Sequence, residues 1–222
     1  MRTKIICTIG PASMSISKMK KMKENGMSIA RINTKYGNLK QWEKIISICK
    51  KINCQIMIDI KCKDFLPWIK EKKPEYLAIS YAESEKYIRG VIKEIDPHTK
   101  VISKIESKKG LLNFKNVIDA SWGIMVARGD LSKNLSFEKV PAAQNLIIKK
   151  TIRDKKFVIV ATEMFLSMVN SKKPTNAEAS DVFLAVLNGA DATMLSEETA
   201  IGKYPSLAVE AMKKILIEAE KV

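Results

Sequence analysis

The chain has 222 residues, 46% of them hydrophobic and 28% charged, which is typical of a soluble globular protein, and no apolar run reaches the roughly 18 residues of a membrane span. The net charge of +15 is spread over nearly every predicted helix without interleaved aromatic residues, so no nucleic-acid partner is predicted, although an anionic small substrate would benefit from this field. The N-terminus lacks the hydrophobic segment of a signal peptide, and we expect a cytoplasmic protein without a membrane partner.

Short apolar runs rich in β-branched residues alternate with segments of helical periodicity along the whole chain. Such runs are typical of parallel strands that are buried on both faces of a sheet. Eight of these runs predict strands, at residues 4–9, 28–33, 55–60, 76–81, 100–106, 123–130, 157–162 and 192–197.

The helical segments between these runs carry stop signals. The first segment ends at Gly26, the second ends near Asn53 and the fourth runs into Pro97. Eight β–α units without a break in composition predict a closed (β/α)8 TIM barrel, an α/β fold, as one domain over residues 1–222. An open doubly wound sheet is the alternative.

Polar residues end six of the predicted strands, at the carboxyl ends where barrel enzymes carry their chemistry. Alternation along a strand places residues two apart on the same face. A single pair of buried charges is explained by a structural ion pair, but polar ends on six strands favour a site. The residues are Arg31 and Asn33, Asp59 and Lys61, Lys104 and Glu106, Arg128 and Asp130, Thr162, and Ser196 and Glu198.

These residue types indicate metal-assisted chemistry on an anion. Glu106 and Asp130 are predicted on adjacent strands. Mg²⁺ prefers carboxylate oxygens of this kind and fills its other positions with waters and substrate oxygens. Lys104 would neutralise charge on a transferring phosphoryl group or an enolate, and the glycine after Arg128 lets the backbone approach an anion closely. In the plainer interpretations, Arg128 only pairs with an acidic neighbour and Thr162 only fits a strand.

The cysteine and histidine pattern predicts neither a zinc site nor a disulfide framework. His98 is the single histidine of the chain. No CxxC pair occurs among the four cysteines, so we expect reduced thiols. They are Cys7, Cys49, Cys54 and Cys62.

Six segments resemble the motifs of pyruvate kinases, in the same order and with similar spacing over essentially the whole chain. They are KIICTIGPAS at 4–13, SKIES at 103–107, IMVARGDL at 124–131, VATEM at 160–164, KPTNAEASDV at 173–182 and MLSEETAIGKYP at 194–205. The resemblance implies transfer of the phosphoryl group of phosphoenolpyruvate to ADP, which gives pyruvate and ATP in glycolysis. It also implies Mg²⁺ or Mn²⁺ as the divalent cofactor and a homo- or hetero-oligomer.

The resemblance implies catalytic roles for three residues. Lys104 matches the lysine that stabilises the phosphoryl transfer and the enolate. Arg31 matches the arginine that contacts the transferred phosphoryl group. Thr162 matches the threonine near the enolate carbon that is protonated.

Four further residues match the ligand-binding positions of the family. Glu106 and Asp130 stand where pyruvate kinases place the ligands of the divalent metal. The amides of Gly129 and Asp130, next to Arg128, would hold the carboxylate of the substrate.

Two domains of pyruvate kinases have no counterpart in this sequence. Members of the family consist of a barrel with two additions, a mobile lid domain inserted after the third strand and a C-terminal domain that often carries the regulatory site. Here residues 61–75 join the third strand to the fourth, with room for one short helix. We therefore expect a barrel without a lid and without a C-terminal regulatory domain, and a site less shielded from water.

Local departures fall on the nucleotide half of the family's site, which we interpret as eroded. The second strand reads RINTKYG where the family has RLNFSHG, so Tyr36 replaces the histidine that faces the nucleotide. The third strand reads DIKCKDFL where the family has DTKGPEIR, so Leu66 replaces an arginine. ADP and ATP are weaker expectations than phosphoenolpyruvate and pyruvate.

The monovalent-cation site of the family also departs from its pattern. Asn33 and Asp59 remain, but Ile60 removes a threonine ligand of potassium and Lys35 replaces a serine ligand. Our hypothesis is that the Lys35 ammonium takes the place of the ion beside Asn33 and Asp59, so that no K⁺ is required. The alternative is that Lys35 extends into solvent.

Three functions follow from this uneven retention. The first is a minimal pyruvate kinase that uses Mg²⁺ and Lys104. The second is a catalytically impaired relative that acts as a partner subunit of a full-length pyruvate kinase. The third is nucleotide-independent enolate chemistry, such as decarboxylation of a 2-keto acid, which needs only the retained half of the site.

Overall fold

The computed structural model describes residues 2–222, and its eight parallel strands form a closed barrel in chain order. The closed (β/α)8 barrel predicted from the sequence is therefore confirmed, and the open doubly wound sheet is wrong. The strands are β1 Lys4–Thr8, β2 Met27–Asn33, β3 Gln55–Ile60, β4 Tyr76–Ile79, β5 Lys100–Ile105, β6 Gly123–Ala127, β7 Phe157–Ala161 and β8 Ala192–Leu195.

Helices follow every strand, and side-chain caps and prolines fix where several of them begin. Asn38 and Thr175 form capping boxes with the third residue of their helices, and Pro205 opens the last helix. None of the helices within residues 2–222 combines the length and the apolar character required to cross a bilayer. The helices are α1 Ile16–Glu24, α2 Leu39–Lys51, α3 Leu66–Lys72, α4 Glu85–Glu94, α5 Lys108–Leu112, α6 Phe114–Ala120, α7 Arg128–Asn134, α8 Val140–Arg153, α9 Asn176–Leu187, α10 Glu197–Ala200 and α11 Pro205–Ala219.

Six of the predicted strands end one to three residues earlier than the sequence pattern indicates, and in the sixth and the eighth this leaves both members of a predicted pair of site residues outside the strand. The sixth ends at Ala127, because the chain turns there and Arg128 begins α7. The eighth ends at Leu195, after which Ser196 precedes α10. The pairs Arg128/Asp130 and Ser196/Glu198 therefore do not share a strand face, which corrects the prediction made for them.

Contacts divide the chain into two compact units, a first unit that runs up to Ile56 and resumes over Ala161–Val222, and a second unit over Met57–Val160. In the first unit, β1 pairs with both β2 and β8, with Ile6 opposite Ile29 and Met194. These apolar strand residues are fully buried, because every face of a parallel barrel strand is covered.

The second unit contains most of β3, all of β4 to β6 and most of β7. Its paired strands bury apolar side chains in the same way. Ile102 of β5 lies opposite Ala78 of β4 and Gly123 of β6. Position 123 requires glycine, because a Cβ there would lie 2.8 Å from Ile102 Cδ1 and 2.8 Å from the Phe157 carbonyl oxygen.

Aromatic rings cover the amino ends of the strands in the second unit. The Trp122 ring centroid lies 5.7 Å from that of Tyr76 and 5.1 Å from that of Phe157. Lys100 places its ammonium 4.7 Å from the Trp122 ring centroid, in a cation–π contact. These ring contacts join the starts of β4, β6 and β7, at the end of the strands that carries stability rather than chemistry in such barrels.

Candidate active site

Lys104 lies near the end of β5 and is the centre of a buried polar cluster in the second unit. Its Nζ lies 3.1 Å from Asp59 Oδ1 and 2.9 Å from Ser80 Oγ. The same Nζ lies 2.9 Å from Glu106 Oε1. The ammonium is only 9% exposed, so these three acceptors replace the water that burial removes.

Glu106 follows β5 directly, and its carboxylate is almost completely buried. Its second oxygen, Oε2, accepts a hydrogen bond of 2.8 Å from the backbone N–H of Tyr81, a residue with φ of 49°. Burial raises the pKa of Glu106 above its ordinary value, against the opposing effects of Lys104 and the Tyr81 amide. The predicted neighbours Lys104 and Glu106 therefore do meet on one face.

Asp130 lies in the first turn of α7, where its charge is favourable for the helix dipole. Its carboxylate is 43% exposed and contacts Lys133 Nζ at 2.9 Å. The side-chain amide of Asn134 donates to the carbonyls of both Glu106 and Asp130, at 2.9 and 3.1 Å. One amide thus ties together the two chain segments that carry the predicted metal ligands.

Arg128 and Gly129 share this first turn of α7 with Asp130. Residues two apart on a helix do not face each other, and accordingly Arg128 is buried whereas Asp130 reaches solvent. The three residues stay together as a turn at the carboxyl end of β6, but the predicted strand geometry is wrong.

Arg31 is buried in the first unit, within β2. Its Nη1 donates to Thr8 Oγ1 at 2.8 Å, and Thr8 in turn donates to the Leu195 carbonyl at 3.0 Å. The Thr8 hydroxyl therefore orients the guanidinium by linking β2 to β1 and β8.

Asn33 and Lys35 lie at the end of β2 and just beyond it. Asn33 Oδ1 accepts a hydrogen bond of 3.2 Å from the backbone N–H of Lys35. The Lys35 side chain is exposed, and its ammonium lies 5.3 Å from the Tyr36 ring centroid. A role for Lys35 as a tethered monovalent cation stays a prediction.

Thr162 follows β7 in the left-handed backbone region. Its φ is 69°, and that of Glu163 is 55°, conformations that cost free energy for residues other than glycine. The interpretation that Thr162 only fits a strand is wrong, because β7 ends at Ala161. Consecutive strained residues at a strand end are typical of functional loops.

Glu198 ties this loop to the end of β8, within the first unit. Its carboxylate accepts hydrogen bonds from the Phe165 amide at 2.9 Å and the Ser196 amide at 2.6 Å. Burial raises the pKa of Glu198, against the opposing effect of these amides. Glu198 thus holds the segment that follows Thr162.

Comparisons with known proteins agree with this arrangement. A family model for the barrel domain of pyruvate kinase matches residues 1–66 and 61–209. The chain belongs to the pyruvate kinase family. The pyruvate kinase of Thermoplasma acidophilum is 31% identical to it, over 97% of this chain and 58% of its own length.

Other pyruvate kinases are similar over shorter stretches. The cytosolic isozyme of Glycine max is 42% identical over 71% of this chain and 32% of its own length. The enzyme of Dictyostelium discoideum is 44% identical over 68% of this chain and 31% of its own length. This member of the pyruvate kinase family therefore spans between about a third and about three fifths of these relatives.

Pyruvate kinases generally use Mg²⁺ and K⁺, and the donor set here suits the first better. No group of three or more His, Cys, Asp and Glu side chains within residues 2–222 is arranged to hold a metal ion. Mg²⁺ needs fewer, since it usually binds one or two carboxylates and fills its other positions with waters and substrate oxygens. Glu106 and Asp130 are two such carboxylates, and Asn134 links the backbone segments that carry them.

The second unit provides a poor donor set for a monovalent ion. Asp59 already pairs with the Lys104 ammonium, and Ile60 is fully buried and carries no side-chain oxygen. Position 60 therefore offers no side-chain oxygen to a K⁺ ion, as the sequence predicted.

Sequence reasoning missed four residues that contact the candidate site residues within their own units. Thr8 orients Arg31, Ser80 and Tyr81 hold Lys104 and Glu106, and Asn134 joins the segments after β5 and β6. Thr8 and Ser80 carried a signal, since each is a polar residue near the carboxyl end of a predicted strand. The amide of Tyr81 acts through the backbone, which no side-chain pattern reveals.

Proposed function

We propose that this chain binds phosphoenolpyruvate and a divalent cation and transfers the phosphoryl group to ADP, giving pyruvate and ATP. The observation that supports this best is the buried ammonium of Lys104, held by Asp59, Ser80 and Glu106 at the carboxyl ends of their strands. A preorganised cation in a site of low dielectric constant stabilises charge that develops on a phosphoryl group or an enolate.

The metal and the substrate carboxylate are assigned to neighbouring groups. Glu106 and Asp130 would hold Mg²⁺, which when bound neutralises phosphoryl charge and orients the substrate. The amides of Gly129 and Asp130 lie in the first turn of α7, where a helix dipole attracts anions, and would hold the carboxylate beside Arg128.

Two residues of the first unit complete the assignment. Arg31 would contact the transferred phosphoryl group, a role supported by its buried guanidinium and by the Thr8 hydroxyl that orients it. Thr162 would lie near the enolate carbon during protonation, and its strained backbone beyond β7 supports a functional role.

A second candidate is a subunit that binds phosphoenolpyruvate without turnover and assembles with a complete pyruvate kinase. Position 66, where the family has an arginine, carries Leu66, which is 1% exposed at the start of α3. This position therefore contributes to core packing instead of presenting a cation to a nucleotide. Nucleotide-independent enolate chemistry is a third candidate and needs the same retained residues.

The proposal also covers the domain organisation, the cellular location and the oligomeric state of the protein. Residues 61–75, with α3 inside them, connect β3 to β4, and the two segments matched by the family model meet in this connection, which supports a barrel without an inserted lid. The cytosolic isozyme among the relatives supports a cytoplasmic location. A homo- or hetero-oligomer is proposed from the family alone.

Calorimetric titration of phosphoenolpyruvate and then ADP, with Mg²⁺ present, tests the function alongside a coupled pyruvate assay. Binding of both ligands with pyruvate formation is the expected result. Binding of phosphoenolpyruvate without ADP binding or turnover would favour the partner subunit, and copurification with a complete pyruvate kinase would support it. Turnover of oxaloacetate without ADP would favour enolate chemistry instead.

The metal assignment has its own test in Glu106→Gln and Asp130→Asn. Each variant loses a charged ligand, so we expect Mg²⁺-dependent ligand binding to fall at least about tenfold while the fold is retained. Asp119→Asn is the matched control, because Asp119 is a half-exposed carboxylate of the same unit that pairs with Lys115. Unchanged Mg²⁺ affinity in both site variants would refute the assignment.

A further inference from the structure

All three N–H donors of the Lys104 ammonium have acceptors inside the second unit. A lysine ammonium carries three donors and no acceptor. Asp59 Oδ1, Ser80 Oγ and Glu106 Oε1 lie 3.1, 2.9 and 2.9 Å from Nζ, one acceptor for each donor. In this arrangement the ammonium has no donor left for the oxygen of an anionic substrate.

The three acceptors differ in whether another cation competes for them. Asp59 and Ser80 are buried at the carboxyl ends of β3 and β4, and neither is assigned to the divalent cation. Glu106 is assigned to it, and its carboxylate keeps a fixed orientation because the Tyr81 amide holds Oε2. Lys104 occupies the other oxygen, Oε1, so a metal ion that bound this carboxylate at Oε1 would meet the ammonium there.

An ammonium and a divalent cation repel each other strongly when they share one carboxylate oxygen of a dry site. A divalent cation carries twice the charge and would bind the oxygen directly, so it would displace the ammonium from that oxygen. The ammonium would keep its bonds to Asp59 and Ser80, which hold Nζ in position.

We propose that the divalent cation replaces Lys104 on Glu106 Oε1, and that this exchange releases one N–H of a positioned ammonium to a phosphoryl or enolate oxygen of the substrate. Asp59 and Ser80 are positioning residues in this exchange, because they act through Lys104. The consequence is an order of events, in which the anion gains its full contact with Lys104 only after the metal has bound. This inference rests on the metal assignment in the proposed function.

Binding of Mn²⁺ alone, measured by electron paramagnetic resonance or calorimetry without substrate, tests the exchange. The decisive variant is Lys104→Gln with Asp59→Asn. It removes one positive and one negative charge, so the net charge of the cluster stays the same while Glu106 Oε1 loses its ammonium. We expect Mn²⁺ affinity to rise about tenfold, since the competing charge-assisted hydrogen bond is gone.

Two further variants frame this result. Lys104→Met with Asp59→Asn, which also keeps the net charge of the cluster, is the second variant if the first double variant fails to fold, and it should also tighten Mn²⁺ binding. Lys109→Met is the matched control, because Lys109 is 67% exposed on α5 and pairs with Glu83. Its removal should change Mn²⁺ affinity by less than about twofold, because solvent and salt screen an exposed charge.

The outcomes separate this inference from the function on which it rests. Unchanged or weaker Mn²⁺ affinity in the Lys104 variants overturns the exchange and leaves the metal assignment standing. Equal tightening in the Lys109 control also overturns it, since that result would reflect general charge alone. No Mn²⁺ binding to the wild type overturns both. Tightening without any pyruvate formation supports the exchange and counts against the transferase.

Discussion

At the scale of single residues, the site depends on buried groups whose charges are matched locally. Lys104 is 9% exposed and Glu106 only 1%, so neither ion has water to stabilise it. Removing one member of such a pair leaves the other charge uncompensated, which typically costs about 3–5 kcal/mol. The cluster therefore constrains the fold, whatever chemistry it serves.

Ser80 offers a test of positioning at this scale. Ser80→Ala removes the neutral acceptor of Lys104 and leaves both carboxylates in place. Under the proposed function we expect kcat to fall about tenfold with the KM for phosphoenolpyruvate within about twofold, because only the orientation of the ammonium is relaxed.

Ser80→Thr keeps the hydroxyl and serves as the conservative comparison. It should recover most of the lost kcat if hydrogen bonding to Lys104 is what Ser80 provides. Steady-state kinetics of both variants check this. A loss of stability with unchanged kcat in Ser80→Ala would show that the hydroxyl is structural only.

At the scale of secondary-structure elements, the position of each segment that carries candidate site residues depends on where the preceding strand ends. β6 ends at Ala127 and gives way to α7, so Arg128 turns inward and Asp130 outward. β7 ends at Ala161 and is followed by two left-handed residues. Pairing between strands sets these end points, and pairing is a tertiary property.

Gly123 tests the close approach of neighbouring elements at the start of β6. Gly123→Ala should lower the free energy of unfolding by about 1–3 kcal/mol, because the added Cβ overlaps backbone and a packed side chain. Gly90→Ala is the control. Gly90 lies inside α4, and a Cβ there would contact only the flexible end of the Lys63 side chain. The substitution should therefore raise the free energy of unfolding by up to about 1 kcal/mol.

Urea denaturation of both glycine variants measures these opposite signs. Equal effects in the two variants would contradict the explanation by steric overlap, since of these two positions only 123 lies against a backbone oxygen. The slope of the transition should stay constant if native compactness is unchanged.

At the scale of the whole molecule, both ends of the chain belong to the first unit, and β1 pairs with β8 there to close the barrel. Glu220 follows α11, and its carboxylate accepts the backbone N–H groups of Arg2 and Thr3 at 2.7–2.9 Å. One side chain thus fastens the start of the barrel to its last helix. Long-range pairing of this kind is costly in chain entropy and is stabilised by such contacts.

Glu220 gives this closure a pH dependence. Partial burial raises the pKa of Glu220, but the amides of Thr3 and Arg2 outweigh it and hold the pKa below the ordinary value of 4.5. A lowered pKa means that the contact stabilises the fold above the ordinary range and is lost as pH falls through the folded value. Glu220→Gln should therefore lower Tm by about 2–4 °C at pH 7, equivalent to about 1 kcal/mol.

The Tm difference between wild type and Glu220→Gln should shrink as pH falls below 4.5 and vanish in stronger acid. Thermal scans over this range measure it. Glu218→Gln is the control, since the Glu218 carboxylate is 63% exposed and pairs with Lys221. A difference that is constant with pH would refute ionic capture of the N-terminal segment.

The sequence by itself determined the barrel and the pairing of Lys104 with Glu106. Eight β-branched runs separated by helical periods allow few folds, because parallel strands need covering helices and right-handed crossovers. Lys104 and Glu106 were predicted to be neighbours because side chains along a strand alternate between its two faces, so that every second residue lies on the same face.

Only the tertiary structure decided which partners those residues contact. That Lys104 binds Asp59 and Ser80, 45 and 24 residues away, follows from strand register, which no local pattern specifies. The ends of β6 and β8 were predicted too late because an apolar run does not say where hydrogen-bonded pairing stops. Backbone donors such as the Tyr81 amide are the same in every sequence, and only the fold aims one of them at Glu106.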